Sequence, residues 1–261
     1  RNVAQLEADG ARIVGPVSGE LANGEVGEGR MAEPDDIAEA VARALGDRGD
    51  LAGQRVLVSA GPTHEDLDPV RFLGNRSTGK MGYALAERAA SRGADVVLVT
   101  GPVRLAPPEG VELVGVRSAR DLEAAVVPRM DAMDAIIMAA AVADYRPKAK
   151  ADAKIKKSDG DLTLTLVRNP DVLATLGRRR SGRRPVLVGF ALESENLVAA
   201  AREKLRGKGC DLIVANLVAV GFGGEDNEVI LVDAEGETPL PRATKRVVAD
   251  RILDRVRDLL S

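Results

Sequence analysis

The sequence predicts an α/β protein built on a doubly wound, mostly parallel β-sheet with helices on both faces. From about residue 52 onward, short runs rich in Val, Ile and Leu alternate with longer segments that have helical periodicity. This alternation is typical of βαβ units, in which a helix returns the chain so that the next strand pairs in parallel. We therefore expect a Rossmann-like sheet with its ligand site at the carboxyl ends of the strands.

The predicted elements follow one another regularly. Strand-like runs occur at residues 55–59, 95–100, 111–116, 135–140, 185–190, 212–215 and 228–232. Helical patterns occur at residues 79–92, 119–129, 171–179, 195–207 and 243–260. Residues 162–167 alternate between Leu and Thr, which favours a hairpin or an edge strand.

Composition restricts the class of protein. The 261 residues are 45% apolar with a net charge of −3, which gives no reason to expect nucleic acid or an anionic membrane as a partner. Cys210 and His64 are the only residues of their types, so disulfide frameworks, multi-cysteine zinc sites and histidine-rich metal sites are excluded. No apolar run approaches the roughly 18 residues of a membrane span, and no signal-peptide pattern opens the sequence. We therefore expect a cytoplasmic location.

Two unequal domains are predicted, residues 1–50 and residues 51–261. The first has helical patterns at 2–8 and 34–45 around a glycine-rich middle. It is too short to bury a core of its own, so we interpret it as the end of a larger domain followed by a linker.

The stretch 139–157 is the most informative part of the sequence. An apolar run ends at Asp144 and is followed by residues 148–157, here called the lysine segment, which contain five lysines. A carboxylate at the end of a buried strand can hold a metal ion, and a mobile cationic loop can close over phosphates. The alternative is that Asp144 caps a turn and the lysines lie on a solvated surface loop.

Residues 74–80 fit the first seven positions of the P-loop pattern G-x-x-x-x-G-K. A true P-loop is rejected, because Met81 replaces the required Ser or Thr and residues 60–73 separate the pattern from its strand. The backbone N–H groups that open the following helix still suit an anion. The alternative is an ordinary helix cap with glycines for tight turns. A dinucleotide fingerprint is also rejected, because residues 59–63 lack its glycine spacing.

Seven ordered motifs resemble one enzyme family. They are Ser59-Ala60-Gly61-Pro62-Thr63, Asp68-Pro69-Val70-Arg71, Asn75 to Gly82, Ala140 to Tyr145, Lys154-Ile155-Lys156-Lys157, Asn169-Pro170-Asp171 and Gly189 to Glu193. Over residues 52–261 the sequence resembles the ligase domain of the bacterial bifunctional phosphopantothenoylcysteine decarboxylase/phosphopantothenate–cysteine ligase family of coenzyme A biosynthesis. Residues 1–50 resemble the C-terminal tail of the decarboxylase domain.

The resemblance implies a two-step ligase reaction. The carboxylate of 4′-phosphopantothenate attacks the α-phosphate of CTP, giving an acyl-cytidylate and pyrophosphate, and the amine of cysteine then displaces CMP. The family relationship also implies Mg²⁺ as cofactor and a homodimer formed through the ligase domain. The choice of CTP as the nucleotide rests on the resemblance alone, since related ligases can use ATP. FMN would belong only to the decarboxylase domain, which is expected in the full-length protein.

The resemblance assigns roles to individual residues. Lys154 and Asn75 are implied as catalytic, and Asp144 is implied at the metal. The implied CTP contacts are Met138, Ala139, Ala140, Asp144, Lys154, Pro170, Asp171, Val172, Leu173, Phe190, Lys204 and Lys208. The implied substrate or intermediate contacts are Asn75, Ser77, Gly79, Ala140 and Ala141. Without the family, Lys204 and Lys208 equally suit a basic last helical turn, and Asn75 suits an ordinary turn.

One departure from the family concerns the decarboxylase. Where the family has a cysteine proton donor, this sequence has Asn23, whose amide cannot deliver a proton as a thiol does. With the flavin-binding body also missing, decarboxylation is not expected of this chain.

Two other functions stay open. A nicotinamide-dependent oxidoreductase is disfavoured because the glycine fingerprint is missing. A non-catalytic regulatory subunit of a decarboxylase is disfavoured because Asn75, Asp144 and Lys154 are intact. We interpret His64 as a turn residue and Cys210 as a packing residue.

Overall fold

The computed structural model describes residues 1–21, 24–46, 48–157, 160–193, 196–217 and 224–261. The chain forms two compact units, Arg1–Gly49 and Asp50–Ser261. This division lies one residue from the predicted domain boundary, and the assignment of the first unit to a decarboxylase tail stays a prediction. Asn23 lies outside the described residues.

The described residues of the first unit form two helices and a hairpin. Helix α1 (Asn2–Ala8) and helix α2 (Pro34–Ala44) lie close to the predicted ranges. Between them, strands β1 (Val17–Glu20) and β2 (Val26–Arg30) pair antiparallel. The glycine-rich middle gave no sign of these strands, because glycines weaken the alternating pattern on which strand prediction depends.

The second unit contains the α/β sheet and its helices. In chain order its elements are β3 (Arg55–Ala60), β4 (His64–Asp66), β5 (Phe72–Gly74), α3 (Lys80–Ser91), β6 (Asp95–Thr100), β7 (Glu112–Gly115), α4 (Ala119–Val126), β8 (Ala135–Met138), β9 (Tyr145–Pro147), β10 (Leu166–Arg168), α5 (Val172–Arg179), β11 (Val186–Glu193), α6 (Leu197–Lys208), β12 (Leu212–Leu217), β13 (Asp226–Asp233), β14 (Glu237–Thr244) and α7 (Lys245–Leu260). A 3₁₀ turn, Val127–Ala132, follows α4.

The main sheet has eight strands in the order β14-β13-β12-β11-β8-β3-β6-β7. The pairs from β7 to β12 are parallel, and β13 and β14 are antiparallel additions at one edge. The Rossmann-like, mostly parallel sheet predicted from the sequence is therefore confirmed.

The two faces of the sheet carry different helices. Successive residues of a strand point to opposite faces. Val58 of β3 packs in one cluster with Leu85 of α3 and Ile252 of α7. Leu57 packs on the other face with Leu122 of α4 and with the buried side of α5. Helix α6 covers the same face as α5, over the odd-numbered residues of β12.

Three predicted elements differ from the structure. The helix predicted at 119–129 ends at Val126, and the chain continues as a 3₁₀ turn because Pro128 cannot donate a backbone hydrogen bond. The final helix begins at Lys245, since residues 237–244 form β14, whose two prolines are tolerated at a sheet edge. Of residues 162–167, only the last two join β10, which pairs antiparallel with β9 as a hairpin.

In the described part of the chain, no helix combines the length and apolar character needed to cross a bilayer.

Helix α3 approaches β3 closely at Gly82. A Cβ atom at Gly82 would lie 2.5 Å from the Cβ of Ala60 and 3.0 Å from its Cα. Ala60 belongs to a central strand and cannot shift independently. We therefore expect Gly82→Ala to lower the free energy of unfolding by about 1–3 kcal/mol, measured by urea denaturation.

The matched control for this prediction is Gly207→Ala in α6. There a Cβ atom would meet nothing within 4 Å. The better helix propensity of Ala should then raise the free energy of unfolding by about 0.5–1 kcal/mol. The same sign for both substitutions would contradict the close-contact explanation.

Candidate functional site

A cavity of about 690 Å³ lies at the carboxyl ends of β8, β11 and β12. The first turns of α3 and α5 and the segment that follows β8 form its walls, and α6 contributes two lysines. This is the position expected for a ligand site in a parallel α/β sheet.

Most of the residues implied by the sequence resemblance line this one cavity. They are Asn75, Ser77, Gly79, Met138, Ala139, Ala140, Ala141, Asp144, Pro170, Asp171, Val172, Leu173, Phe190, Lys204 and Lys208. They come from five separate stretches of sequence, and the fold brings them together. Lys154 does not line the cavity. The roles of all these residues stay predictions.

The wall that follows β8 is held by hydrogen bonds to the loop after β3. The backbone N–H of Ala140 donates to Ser59 Oγ at 3.1 Å, and that of Ala143 donates to Thr63 Oγ1 at 2.9 Å. The N–H of Ala141 donates to the Gly61 carbonyl at 2.9 Å. Ser59 and Thr63 are fully buried, so the wall is a fixed surface.

Asn75 joins the loop before α3 to this wall. Its Nδ2 donates to the carbonyl oxygen of Ala141 at 3.0 Å. The side chain itself is exposed to solvent. The amide is therefore held in position at the cavity edge, where its oxygen and second N–H can meet a ligand.

Lysines from α6 lie at the opposite wall. Lys204 Nζ donates to the Phe190 carbonyl at 2.6 Å. Lys208 forms an ion pair with Asp171, whose other carboxylate oxygen accepts from the Ala174 N–H at 2.9 Å and so caps α5. Burial raises the pKa of Asp171, but the Lys208 and Ala174 hydrogen bonds outweigh it and leave the pKa below its usual value. This wall therefore carries fixed positive charge.

Asp144 stands at the mouth of the cavity. Its carbonyl oxygen accepts from the Asn169 N–H at 2.8 Å, and Asn169 Nδ2 donates to the Ala143 carbonyl at 2.8 Å. The backbone is thereby fixed while the carboxylate is exposed, with no hydrogen bond or ion pair among the described residues. No cluster of three or more acidic, His or Cys side chains suited to a metal occurs in those residues. A cation at Asp144 would therefore take most of its ligands from phosphates and water, as Mg²⁺ commonly does.

The lysine segment is anchored to the loop between β4 and β5. Lys150 Nζ donates to Asp66 Oδ2 at 2.8 Å, and the Ala151 N–H donates to the Leu67 carbonyl at 2.9 Å. Arg117 and Lys150 together lower the pKa of the Asp66 carboxyl to about 2. The loop that the sequence predicts to be mobile is therefore anchored to the β4–β5 loop at this part of the segment.

A second anchor lies beside Lys154. The Ile155 N–H donates to Asp68 Oδ2 at 3.1 Å, and Arg71 Nη2 donates to the Ile155 carbonyl at 2.8 Å. Asp68 is buried, and its ion pair with Arg71 holds its pKa well below the usual range. These contacts keep Lys154 exposed to solvent and outside the cavity. The acids involved lie more than eighty positions earlier, so no local pattern could reveal them.

We expect Asp68→Asn to release the lysine segment. The change removes the charge that holds Arg71, and hydrogen bonds to charged groups contribute about 1.5–3 kcal/mol each. Trypsin should therefore cleave within residues 148–157 about tenfold faster or more. Asp152→Asn, an exposed acid on the same segment, is the control and should leave the cleavage rate unchanged. Equal cleavage of both variants would show that Asp68 is not the anchor.

His64 and Cys210, for which no functional role is predicted from the sequence, do not line the cavity. His64 is part of β4 and stacks on Phe72 with 3.7 Å between ring centroids, so its interpretation as a turn residue is wrong. Cys210 packs beside α6, and burial raises the pKa of its thiol to about 12. A thiol with so high a pKa is a poor nucleophile, in agreement with a packing role.

Sequence reasoning missed part of the cavity lining. The missed polar residues are Thr78, Lys80, Tyr145, Arg168, Asn169, Asn216, Asn227 and Lys245. Asn169 and Tyr145 belong to motifs already noted, and their place in those motifs could have identified them as candidates. Asn216 lies on β12, Asn227 on β13 and Lys245 at the start of α7, and no sequence motif marks any of the three.

Comparison with known proteins identifies the family. A family model described as the DNA/pantothenate metabolism flavoprotein C-terminal domain matches residues 51–260. The chain belongs to this family. The resemblance drawn from the seven motifs is thereby confirmed.

Known proteins of this family are similar to the chain along almost its whole length. It is 44% identical to the coenzyme A biosynthesis bifunctional protein CoaBC of Vibrio parahaemolyticus serotype O3:K6, over 99% of this chain and 66% of that protein. It is 44% identical to the CoaBC protein of Bacillus subtilis strain 168, over 98% of this chain and 64% of that protein. The chain thus spans about two thirds of the length of these relatives.

Solved structures of the family share the fold. A crystal structure of the C-terminal domain of a CoaBC protein has a TM-score of 0.71 and 41% identity, covering 81% of this chain and 98% of that chain. The DNA/pantothenate metabolism flavoprotein from Streptococcus pneumoniae has a TM-score of 0.69 and 25% identity, covering 79% of this chain and 99% of that chain.

Proposed function

We propose that the chain catalyses the ligase step of coenzyme A biosynthesis, joining 4′-phosphopantothenate to cysteine at the expense of CTP. The observation that carries this proposal is that one cavity gathers nearly all residues implied by the resemblance. The bifunctional coenzyme A biosynthesis relatives support the same pathway.

In the first proposed step, the substrate carboxylate forms a bond to the α-phosphorus of CTP while the bond to the β-phosphate oxygen breaks. Both reactants are anionic, so the reaction needs positive charge at the cavity walls. Lys204 and Lys208 supply it from α6. Asp144 is the residue that would hold a Mg²⁺ ion, and such an ion would supply charge neutralisation for the phosphates.

In the second proposed step, the amine of cysteine attacks the acyl carbon and CMP departs with the bonding electrons. The mixed anhydride must be shielded from water until then. The fixed wall Ala140–Ala141 and the amide of Asn75 are positioned to hold the acyl group. The hydrogen bond from Asn75 to Ala141 keeps these two elements together.

Lys154 requires a rearrangement in this scheme. The Asp68 and Arg71 contacts hold the adjacent Ile155 backbone outside the cavity. We propose that Lys154 meets the triphosphate after the lysine segment shifts, in its own subunit or across a homodimer. Mixing Lys154→Gln with Asn75→Ala chains separates the two routes, because recovered activity in the mixture requires Lys154 to act across the dimer.

The function is tested by product formation with each nucleotide. The chain is incubated with 4′-phosphopantothenate, cysteine and Mg²⁺, and phosphopantothenoylcysteine is measured by mass spectrometry. Product with CTP and CMP as by-product supports the proposal. Product formed with ATP but not with CTP would support the ligase activity and contradict CTP as the nucleotide. No product with either nucleotide, from folded chain, would favour a regulatory role.

We further propose that the first unit, Arg1–Gly49, is the tail of a decarboxylase domain in a bifunctional protein. The proposal rests on the resemblance of residues 1–50 and on relatives described as bifunctional.

A further inference from the structure

One arginine outside the cavity contacts the loop that leads into α5. Arg146 lies on β9 and is not among the described residues that line the cavity, whereas Asn169, which directly follows β10, is. The Nη1 of Arg146 donates to the carbonyl oxygen of Arg168 and to Asn169 Oδ1, the latter at 3.1 Å. One guanidinium therefore holds the end of β10 and the residue that follows it.

Asn169 connects this guanidinium to the mouth of the cavity. Its Nδ2 donates to the carbonyl oxygen of Ala143 at 2.8 Å, and its backbone N–H donates to the carbonyl oxygen of Asp144 at 2.8 Å. A guanidinium carries donors and no acceptor, so it selects the amide oxygen of Asn169 and leaves the amide N–H groups for Ala143. The backbone position of Asp144 therefore depends on Arg146, through Asn169.

The same contact fixes the start of a second cavity wall, the segment 170–173. Pro170 restricts the preceding Asn169 to an extended backbone. Asp171 then caps α5, because its Oδ1 accepts from the Ala174 N–H at 2.9 Å. The guanidinium thus holds the residue at which this wall begins. Asp144 and residues 170–173 are all implied nucleotide contacts, so both parts of the lining that Arg146 fixes face the same ligand.

We propose that Arg146 is a positioning residue for the nucleotide, acting through Asn169 from outside the cavity. The proposal rests on the proposed function only in taking a nucleotide as the ligand of these walls. Without the guanidinium, the Asn169 amide can turn and the Asp144 backbone can leave the arrangement that binds. The apparent affinity then falls in proportion to the fraction of chains that keep this arrangement.

The positioning role is tested by calorimetric titration with CTP and Mg²⁺, without 4′-phosphopantothenate or cysteine. Arg146→Met removes the guanidinium and keeps an apolar stem, and it is expected to weaken CTP binding about tenfold, equivalent to about 1.4 kcal/mol. The matched control is Arg129→Met, because Arg129 is also half-buried and its Nη1 donates to the Ala125 carbonyl at 2.7 Å. The control should change the affinity by less than about twofold.

A double-mutant cycle tests whether Arg146 acts through Asn169. Asn169→Ala alone is expected to weaken CTP binding about tenfold, as Arg146→Met does. If Arg146 works through this amide, adding Arg146→Met to Asn169→Ala should weaken binding by no more than about threefold further. Two effects that multiply in full, to about a hundredfold, would show that Arg146 acts independently of Asn169 and would overturn the proposal.

Steady-state kinetics separates positioning from a general loss of folded chain. Arg146→Met should raise the KM for CTP about tenfold and leave the KM for 4′-phosphopantothenate unchanged. A lower kcat with both KM values unchanged would indicate only a smaller folded fraction and would contradict positioning. If Arg146→Met does not fold, Arg146→Lys gives the decisive result. It keeps the charge and the stem, but its ammonium lacks the planar fork that reaches both acceptors.

The proposal is overturned if Arg146→Met, or Arg146→Lys in its place, binds CTP as tightly as the unsubstituted chain. It is also overturned if neither CTP nor ATP binds the unsubstituted chain. The titration needs no turnover, so a chain that binds CTP and forms no phosphopantothenoylcysteine would refute the proposed function and leave this test intact.

Discussion

Replacing Lys154 by Gln is expected to lower the kcat of pyrophosphate release by about two to three orders of magnitude. The ammonium is proposed to act on the charge that develops as the carboxylate meets the triphosphate. Lys154 lies outside the cavity in this structure, so it adds little to nucleotide binding before the segment shifts. The KM for CTP should therefore change much less than kcat. Steady-state kinetics with a coupled pyrophosphate assay gives both parameters.

Lys156→Gln is the matched control for this prediction. Lys156 lies on the same segment, is also exposed and undergoes the same change of charge. The loss of an exposed, screened charge should change kcat by less than about threefold. If the two variants lose activity equally, the segment acts through its total charge and Lys154 has no specific role.

Replacing Asp144 by Asn is expected to lower kcat by about two orders of magnitude or more, because metal-assisted charge neutralisation contributes several kcal/mol. The carboxylate makes no hydrogen bond or ion pair with other described residues, so the fold should tolerate the change. The Mg²⁺ concentration that gives half-maximal rate should rise strongly. Pyrophosphate release measured across a Mg²⁺ series checks both expectations.

Asp152→Asn serves as the control for Asp144, since it removes an exposed carboxylate from the nearby lysine segment. Its Mg²⁺ dependence should match that of the unsubstituted chain. If Asp144→Asn also keeps that dependence, Asp144 does not hold the metal and the first step needs another explanation.

Sequence alone predicted the central sheet because its strands are buried on both faces. Strands such as Asp95–Thr100 and Ala135–Met138 contain continuous apolar runs, a pattern that survives without tertiary information. The edge strand β14 lacks this pattern, since Pro239 and Pro241 interrupt it. The short strands β4 and β5 lie inside a loop and pair with each other.

The candidate site also combines residues that local sequence motifs predict with residues that they do not. Asn75 and Asp144 belong to local motifs at strand ends, so their neighbourhood was predictable from the sequence. The position of Lys154 was not, because it depends on Asp68 and Arg71, which are distant in sequence. Lys245 was also missed, since its place in the cavity depends on the packing of the last helix beside β13.

In the proposed reaction, CTP activates the acid before cysteine reacts. This order is tested by rapid mixing of the chain with CTP, Mg²⁺ and 4′-phosphopantothenate, without cysteine, while pyrophosphate is followed in time. We expect a single-turnover burst of pyrophosphate, with steady release beginning only when cysteine is added. Pyrophosphate that appears only in the presence of cysteine, or release of inorganic phosphate in its place, would contradict the acyl-cytidylate route.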